Sequence, residues 1–300
     1  MTASQTTGVL NILKPAGPTS HDVVANVRRV FHQRRVGHAG TLDPAARGVL
    51  LVGLGQATRV LEYLGELPKT YRAGVILGVS TDTHDGEGKV TRRAPWKHIR
   101  WEMVRDALGA FQGDIMQTPP MYAALKRNGR PLYALARQGI TVSREPRPVR
   151  IHTIKVLAWQ PPLLELEIVC SRGTYVRSLA RDLGDALGTG ACLSSLVRTA
   201  IGGHDLRRAV SLGALTALGR SFAEGHLMSI DVALAHLPTV RLSPAQAQSI
   251  RHGQSLRLHV PPSREPALAL DEGGRVVAIL VRHEGETWHP TKVLMPATDT

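Results

Sequence analysis

Gly37-His38-Ala39-Gly40-Thr41-Leu42-Asp43-Pro44 leads, a few residues on, into Gly48-Val49-Leu50-Leu51-Val52-Gly53. The second stretch is apolar wherever it carries a side chain. Both of its faces must therefore be covered, which places it as a central strand of a sheet. The first stretch is a glycine-rich loop that fixes a carboxylate between Leu42 and Pro44. Such a carboxylate is costly beside apolar surface unless it is paired or hydrogen-bonded. Taken alone, Asp43 reads more readily as a loop-capping residue.

Working outward, residues 8–13 read as a short strand and Lys14-Pro15-Ala16-Gly17-Pro18-Thr19-Ser20 as a turn. A helix follows, with Ser20 as its N-cap and Val23, Val27, Val30 and Phe31 at helical spacing. Thr70 to Val79 alternates, with Tyr71, Ala73, Val75, Leu77 and Val79 on one face, and reads as a strand. Thr81 to Gly86 reads as the turn after it. Trp101, Val104, Leu108 and Phe111 give a helix stopped by Gly113.

Residues 119–150 carry seven basic residues against one acid, Glu145. They read as an exposed basic insertion with a short helix over 131–138. Strands near 149–158 and 163–170 come next. Then Ser171-Arg172-Gly173-Thr174-Tyr175-Val176-Arg177 opens a helix with Leu179, Leu183, Ala186 and Leu187 on one face. The pattern changes at Leu237-Pro238. Beyond it lie short strands near 238–242, 256–260, 267–271 and 275–282, and a helix capped by Ser243 with Pro244 at its first position. The expected division is 8–236 and 238–296.

The chain has 300 residues, 43% of them hydrophobic, enough to bury a core. No apolar run reaches the roughly 18 residues of a membrane span. The polar start, Met1 to Thr7, lacks the pattern of a signal peptide. Cys170 and Cys192 are too few for a disulfide framework or a zinc site. These features predict a cytoplasmic protein. The net charge of +13 and a pI near 10.5 favour a polyanionic partner, with nucleic acid the common one. The 13 histidines include no His-x-x-x-His pair, and no Cys-x-x-Cys occurs, so no metal is expected. Asp82, Asp85 and Glu87 lack the alternate spacing of a calcium loop and read as a polar turn. The phosphate-binding glycine motifs of nucleotide cofactors are missing too, so no cofactor is expected.

The loop at 37–44 resembles the catalytic loop of the bacterial tRNA pseudouridine synthase B (TruB) family. Four other motifs, in order, resemble the same family. They are Leu13 to Asp22; Lys69-Thr70-Tyr71-Arg72 with Thr81 to Asp85; Pro119 to Lys126 and on to Gly139; and Cys170 to Arg177 with Arg181-Asp182-Leu183-Gly184. Leu196-Val197-Arg198-Thr199 resembles the segment that closes the family's pocket. Ala45, Arg47, Leu51 and Ala123 depart from common family residues, next to the motifs. The C-terminal unit looks like a small RNA-binding domain of the PUA type.

The resemblance implies an α+β pseudouridine synthase fold: a mixed, largely antiparallel central sheet flanked by helices, plus the β-rich PUA-like domain. It implies isomerisation of uridine 55 in the T-arm loop of tRNA, without cofactor. Asp43 would be the nucleophile, attacking sugar or base, and Arg177 its partner, keeping it ionised. Tyr71 would stack on the target base and stand near the proton that is lost. His38 would help hold the base out of its stack. Lys14 would position the turn beside the loop, Tyr175 would pack near the site, and Leu196 would close the pocket. Lys126, Arg127 and Arg130 would meet phosphates. The expected partner is the tRNA T-arm stem-loop, met by a monomer with no obligate protein partner. Other readings remain open: a non-catalytic tRNA-binding or folding module, a guide-RNA-dependent synthase and, more distantly, a metal-dependent nuclease.

Overall fold

The computed structural model describes residues 5–123, 125–127, 129–259 and 265–294. Ten strands form the main sheet: β1 (Gly8–Lys14), β2 (Val36–Ala39), β3 (Arg47–Leu54), β4 (Lys69–Leu77), β5 (Gly113–Gln117), β6 (Arg147–Gln160), β7 (Leu163–Cys170), β8 (Ala191–Ile201), β9 (His204–Asp205) and β10 (Val210–Ser211). Their order is β10-β1-β3-β8-β4-β7-β6-β5, with β2 on β3 and β9 on β8. Only β1–β10 and β3–β8 pair in parallel, so the sheet is mixed and largely antiparallel, as expected.

The double-faced apolar pattern of 48–53 has a direct cause. Leu50, Val52 and Leu54 face α1 (Ser20–Phe31), which buries Val23, Val24, Val27 and Phe31 against them. Val49 and Leu51 face the opposite way, into a core with Leu64 and Ile201. Farther along the sheet, Tyr71, Ala73, Val75 and Leu77 of β4 share one buried face. There α2 (Trp101–Gly109) and α3 (Val176–Ala186) pack on them through Val104, Leu108, Leu179 and Leu183.

A second, five-stranded sheet comprises β11 (Thr239–Arg241), β12 (Leu256–Arg257), β13 (Ala267–Leu270), β14 (Val276–Glu284) and β15 (Thr287–Val293). The helix Pro244–Arg251 has Ser243 as its N-cap in a capping box, with Pro at the start as the sequence suggested. Leu268, Ile279 and Leu294 enter the same core as Val9, Val49 and Leu51. A buried Leu or Ile truncated to Ala costs about 2–5 kcal/mol. Ile279→Ala is therefore expected to lower the melting temperature of the whole chain in one transition, read by calorimetry. A separate early transition of the C-terminal unit would contradict this.

Several expectations are corrected. Thr19, not Ser20, caps α1: its Oγ1 accepts from Asp22 N at 3.1 Å, and Asp22 Oδ2 accepts from Thr19 N at 2.8 Å. His38 lies on strand β2 rather than in the loop, which begins at Gly40. The 70–79 strand ends at Leu77, because Gly78 takes φ +83°. Helix α2 ends at Gly109, leaving Phe111 outside it. The strands β2, β5, β8, β9, β10 and β15 were not foreseen, and residues 147–150, read as the end of the insertion, start β6 in the main sheet. The insertion's short helix spans Leu132–Ala136. Among the described residues, no helix is long and apolar enough to cross a membrane.

Candidate active site

The loop 40–46 joins β2 to β3, and its backbone is secured almost residue by residue. Arg198 Nη2 donates to the Gly40 carbonyl (3.0 Å) and Nη1 to that of Thr41 (3.2 Å). Ser20 Oγ takes both ends of Leu42, accepting from N at 2.9 Å and donating to O at 3.2 Å. The Asp43 carbonyl accepts from Ala46 N at 3.1 Å. Lys14 Nζ donates to the carbonyls of Pro44 (3.1 Å), Ala46 (2.7 Å) and Pro15 (2.9 Å). Leu42 and Ala46 then pack into the core on the α3 side of the sheet. Buried carbonyls need partners, and here two buried cations supply several of them.

This framework presents the Asp43 side chain, 39% exposed, to Arg177, which is 5% exposed. Arg177 Nε lies 2.9 Å from Asp43 Oδ2, and Nη1 lies 3.4 Å from Asp85 Oδ2. Arg177 also donates to the carbonyls of Thr83 (3.2 Å) and Tyr122 (2.7 Å). It is held at the start of α3, where Gln117 of β5 brackets Tyr175, the residue just before the helix. Gln117 Oε1 accepts from Tyr175 N at 2.7 Å, and its Nε2 donates to Tyr175 O at 3.1 Å.

Burial pushes the Asp43 carboxyl above its ordinary value of 3.8, and the Asp85 charge adds to this; Arg177 and Lys14 oppose it. The net direction is upward. The arginine moderates the cost of ionising Asp43 rather than lowering its pKa below that of a free carboxyl.

Tyr71 projects from near the start of β4, with Arg198 as its cross-strand partner on β8. Burial raises its hydroxyl pKa, so the phenol is protonated at neutral pH. Asp43, Tyr71, Tyr175, Arg177 and Leu196 together line a cavity of about 330 Å³. That lies within the roughly 300–1,000 Å³ of small-molecule sites. Lys69, Arg172 and Arg198 complete much of its polar wall. An aromatic ring, an aliphatic side chain and a carboxylate beside a buried cation suit a planar base attached to a sugar. The carboxylate can attack carbon or stabilise a cation there.

The other expected residues fall elsewhere. Lys14, expected to position the turn beside the loop, is 0% exposed, and burial lowers its pKa to about 8. It holds the loop and cannot reach a ligand. His38 is half-buried outside the main cavity, edge-on to His21 with ring centroids 5.4 Å apart. Burial and the neighbouring His21 lower its pKa to about 4, so its ring is neutral. Arg127 donates to the Ser143 carbonyl and Arg130 to Gln138 Oε1 (2.8 Å), both exposed within the insertion. The side chain of Lys126 lies outside the described part. Tyr175 also packs against the insertion's own small core of Ala123, Leu132 and Leu135.

The sequence pattern gave no separate role to Asp85 or Arg198, and gave Ser20 only that of a helix cap. Asp85, read as part of a polar turn, is a second carboxylate on Arg177, with its Oδ1 held by Thr83 Oγ1 (2.5 Å) and Glu87 N (3.1 Å). Its place in the quoted Thr81–Asp85 motif was the available signal. Among the described residues no group of His, Cys, Asp or Glu could hold a metal ion.

Comparison with known proteins shows the family. Residues 28–176 match the model for the TruB family pseudouridylate synthase N-terminal domain. Residues 237–295 match that for the C-terminal domain of tRNA pseudouridine synthase II. The chain is 45% identical over 291 residues to tRNA pseudouridine synthase B of Dehalococcoides mccartyi, covering 96% of each chain. It is 44% identical over 272 residues to the protein of that name in Azoarcus sp., covering 91% of this chain and 90% of the relative. In a solved Cbf5–Nop10–Gar1 complex the matching chain superposes with a TM-score of 0.75 at 25% identity. That match covers 97% of this chain and 85% of the other. Matched by both family models and 45% identical to a relative along nearly its whole length, the chain belongs to the TruB family of pseudouridylate synthases.

Proposed function

We propose that the protein converts uridine 55 in the T-arm loop of tRNA to pseudouridine, without cofactor, as a monomer in the cytoplasm. The observation that carries this reading is the half-exposed Asp43 carboxylate, 2.9 Å from Arg177, at the wall of the cavity that Tyr71 lines. In the reaction the N1–C1′ bond breaks, the base turns, and a C5–C1′ bond forms. The C5 proton is lost and N1 gains one, so no redox equivalent is consumed. Asp43 acts as the nucleophile on sugar or base, Tyr71 stacks on the ring, and Leu196 closes the pocket.

The uridine leaves its stack to reach the cavity, at a cost of a few kcal/mol. The neutral His38 ring offsets part of this by filling the vacated space. Residues 8–236 form the catalytic domain. The insertion, residues 119–146, grips the RNA, with Lys126, Arg127 and Arg130 on phosphates. Residues 238–296 act as the PUA-like RNA-binding domain. Contacts of these kinds read shape and charge more than sequence.

The test is tritium release from an unmodified tRNA transcript labelled at uridine C5, without metal, nucleotide or guide RNA. Stoichiometric release is expected, with the product mapped to position 55, and none from a transcript with cytidine there. Salt-dependent binding without release would point to an RNA-binding module. Release only on addition of a guide RNA would point to the guide-dependent class.

A further inference from the structure

Arg198 is 1% exposed, and among the described residues no carboxylate pairs with it. An arginine buried without an acid is expensive unless its donors are met. Its donors are met by the catalytic loop. Beside the Gly40 and Thr41 carbonyls at the loop's entry, Nε donates to Val49 O (2.8 Å), just past its exit. One planar fork thus closes the loop from both ends. The strand that carries it also pairs Arg198 with Tyr71 across β8 and β4. Leu196, two residues back on β8, lines the cavity with both.

We propose that Arg198 is a positioning residue of the reaction. By gripping both ends of the loop beside its cross-strand neighbour Tyr71, it sets the Asp43 carboxylate relative to the stacked base. This rests on the reaction proposed above. A misplacement of about 1 Å at a reacting group costs roughly 100-fold in rate. A lysine keeps the charge but is a single point donor and cannot span three carbonyls.

The experiment uses the full chain with R198K and R198M. It measures single-turnover tritium release, the tRNA dissociation constant and the melting temperature. Both variants are expected to stay folded and to bind tRNA within about threefold of wild type. Both should lose about 100-fold in the single-turnover rate, with lysine no better than methionine. Three results would overturn the proposal. One is R198K turning over at the wild-type rate. Another is lysine rescuing most of the loss seen with methionine, which would make the charge and not the fork responsible. The third is unfolding, or loss of binding in step with rate, which would make Arg198 a residue of the fold alone. A silent wild-type enzyme would instead count against the proposed reaction itself.

Discussion

Asp43→Asn is expected to abolish turnover, by roughly 10⁴-fold or more, while tRNA binding changes little. The same substitution is expected to raise the melting temperature at neutral pH. The sign follows from the raised carboxyl pKa. A group that holds its proton more tightly in the folded state loses its stabilising contribution as pH climbs past the unfolded value of 3.8. The loss is complete above the folded value. Ionised Asp43 therefore costs stability at pH 7, and the neutral amide removes that cost. Arg177 keeps Asp85 and two carbonyls as partners, so the amide does not strand it. Thermal melts of both proteins from pH 7 down to about 3.5 would check this. The stabilisation should shrink as pH falls and vanish below the unfolded value. A melting temperature for Asp43→Asn below wild type at pH 7 would mean that the Arg177 contact outweighs burial. Wild-type activity should likewise fall on acidification at a pH above that of an ordinary aspartate.

Gly48→Ala is expected to be the most damaging single substitution for the fold. Gly48 starts the buried strand with φ +116°, a conformation L-residues rarely adopt. A Cβ there would sit 2.1 Å from the Arg198 carbonyl oxygen, which is backbone and cannot rotate away. β3 and β8 run parallel at this point, with Arg198 opposite Gly48. The substitution must therefore pry two central strands apart. A cost of about 3–5 kcal/mol is expected from strain and overpacking together. It would appear as a large fall in the denaturation midpoint, with activity lost alongside. Gly113 has a similar φ of +100° but nothing within 4 Å of an added Cβ. Gly113→Ala should be far milder, which separates the clash from the backbone term.

The strand at 48–53 was legible because an uninterrupted apolar run has one economical placement, between two covered faces. The alternation of 70–77 placed Tyr71 on the buried face for the same kind of reason. The meeting of Asp43, Tyr71, Tyr175, Arg177 and Leu196 at one cavity was not readable from pattern. They come from four separate segments of the chain, and only the ordered resemblance grouped them.

Lys14, Ser20 and Arg198 were hidden for a different reason. Their partners are main-chain carbonyls, which leave no trace in residue identity. A lysine in a proline-rich turn looks like surface, and a serine before a helix looks like a cap. Threonine took the cap here, which freed the serine hydroxyl for Leu42. β15 was missed because Pro290 interrupts it and its residues are mostly polar. Glycine in Val36-Gly37-His38-Ala39 likewise masked β2, which exists through its pairing with β3.

The anchored carbonyls of the loop 40–46 also decide where ordering entropy falls. Fixing a residue's backbone costs roughly 1–2 kcal/mol. For Gly40 to Ala46 that restriction is already in place before any ligand arrives, so docking a nucleotide need not freeze the reacting segment. The insertion is different, held by three small or aliphatic core residues and by arginines on carbonyls. Whatever freedom the protein surrenders on meeting RNA is surrendered there, at the rim. Sequence changes in the insertion should then be felt in how fast RNA enters and leaves, and changes in the loop in what happens once it has arrived.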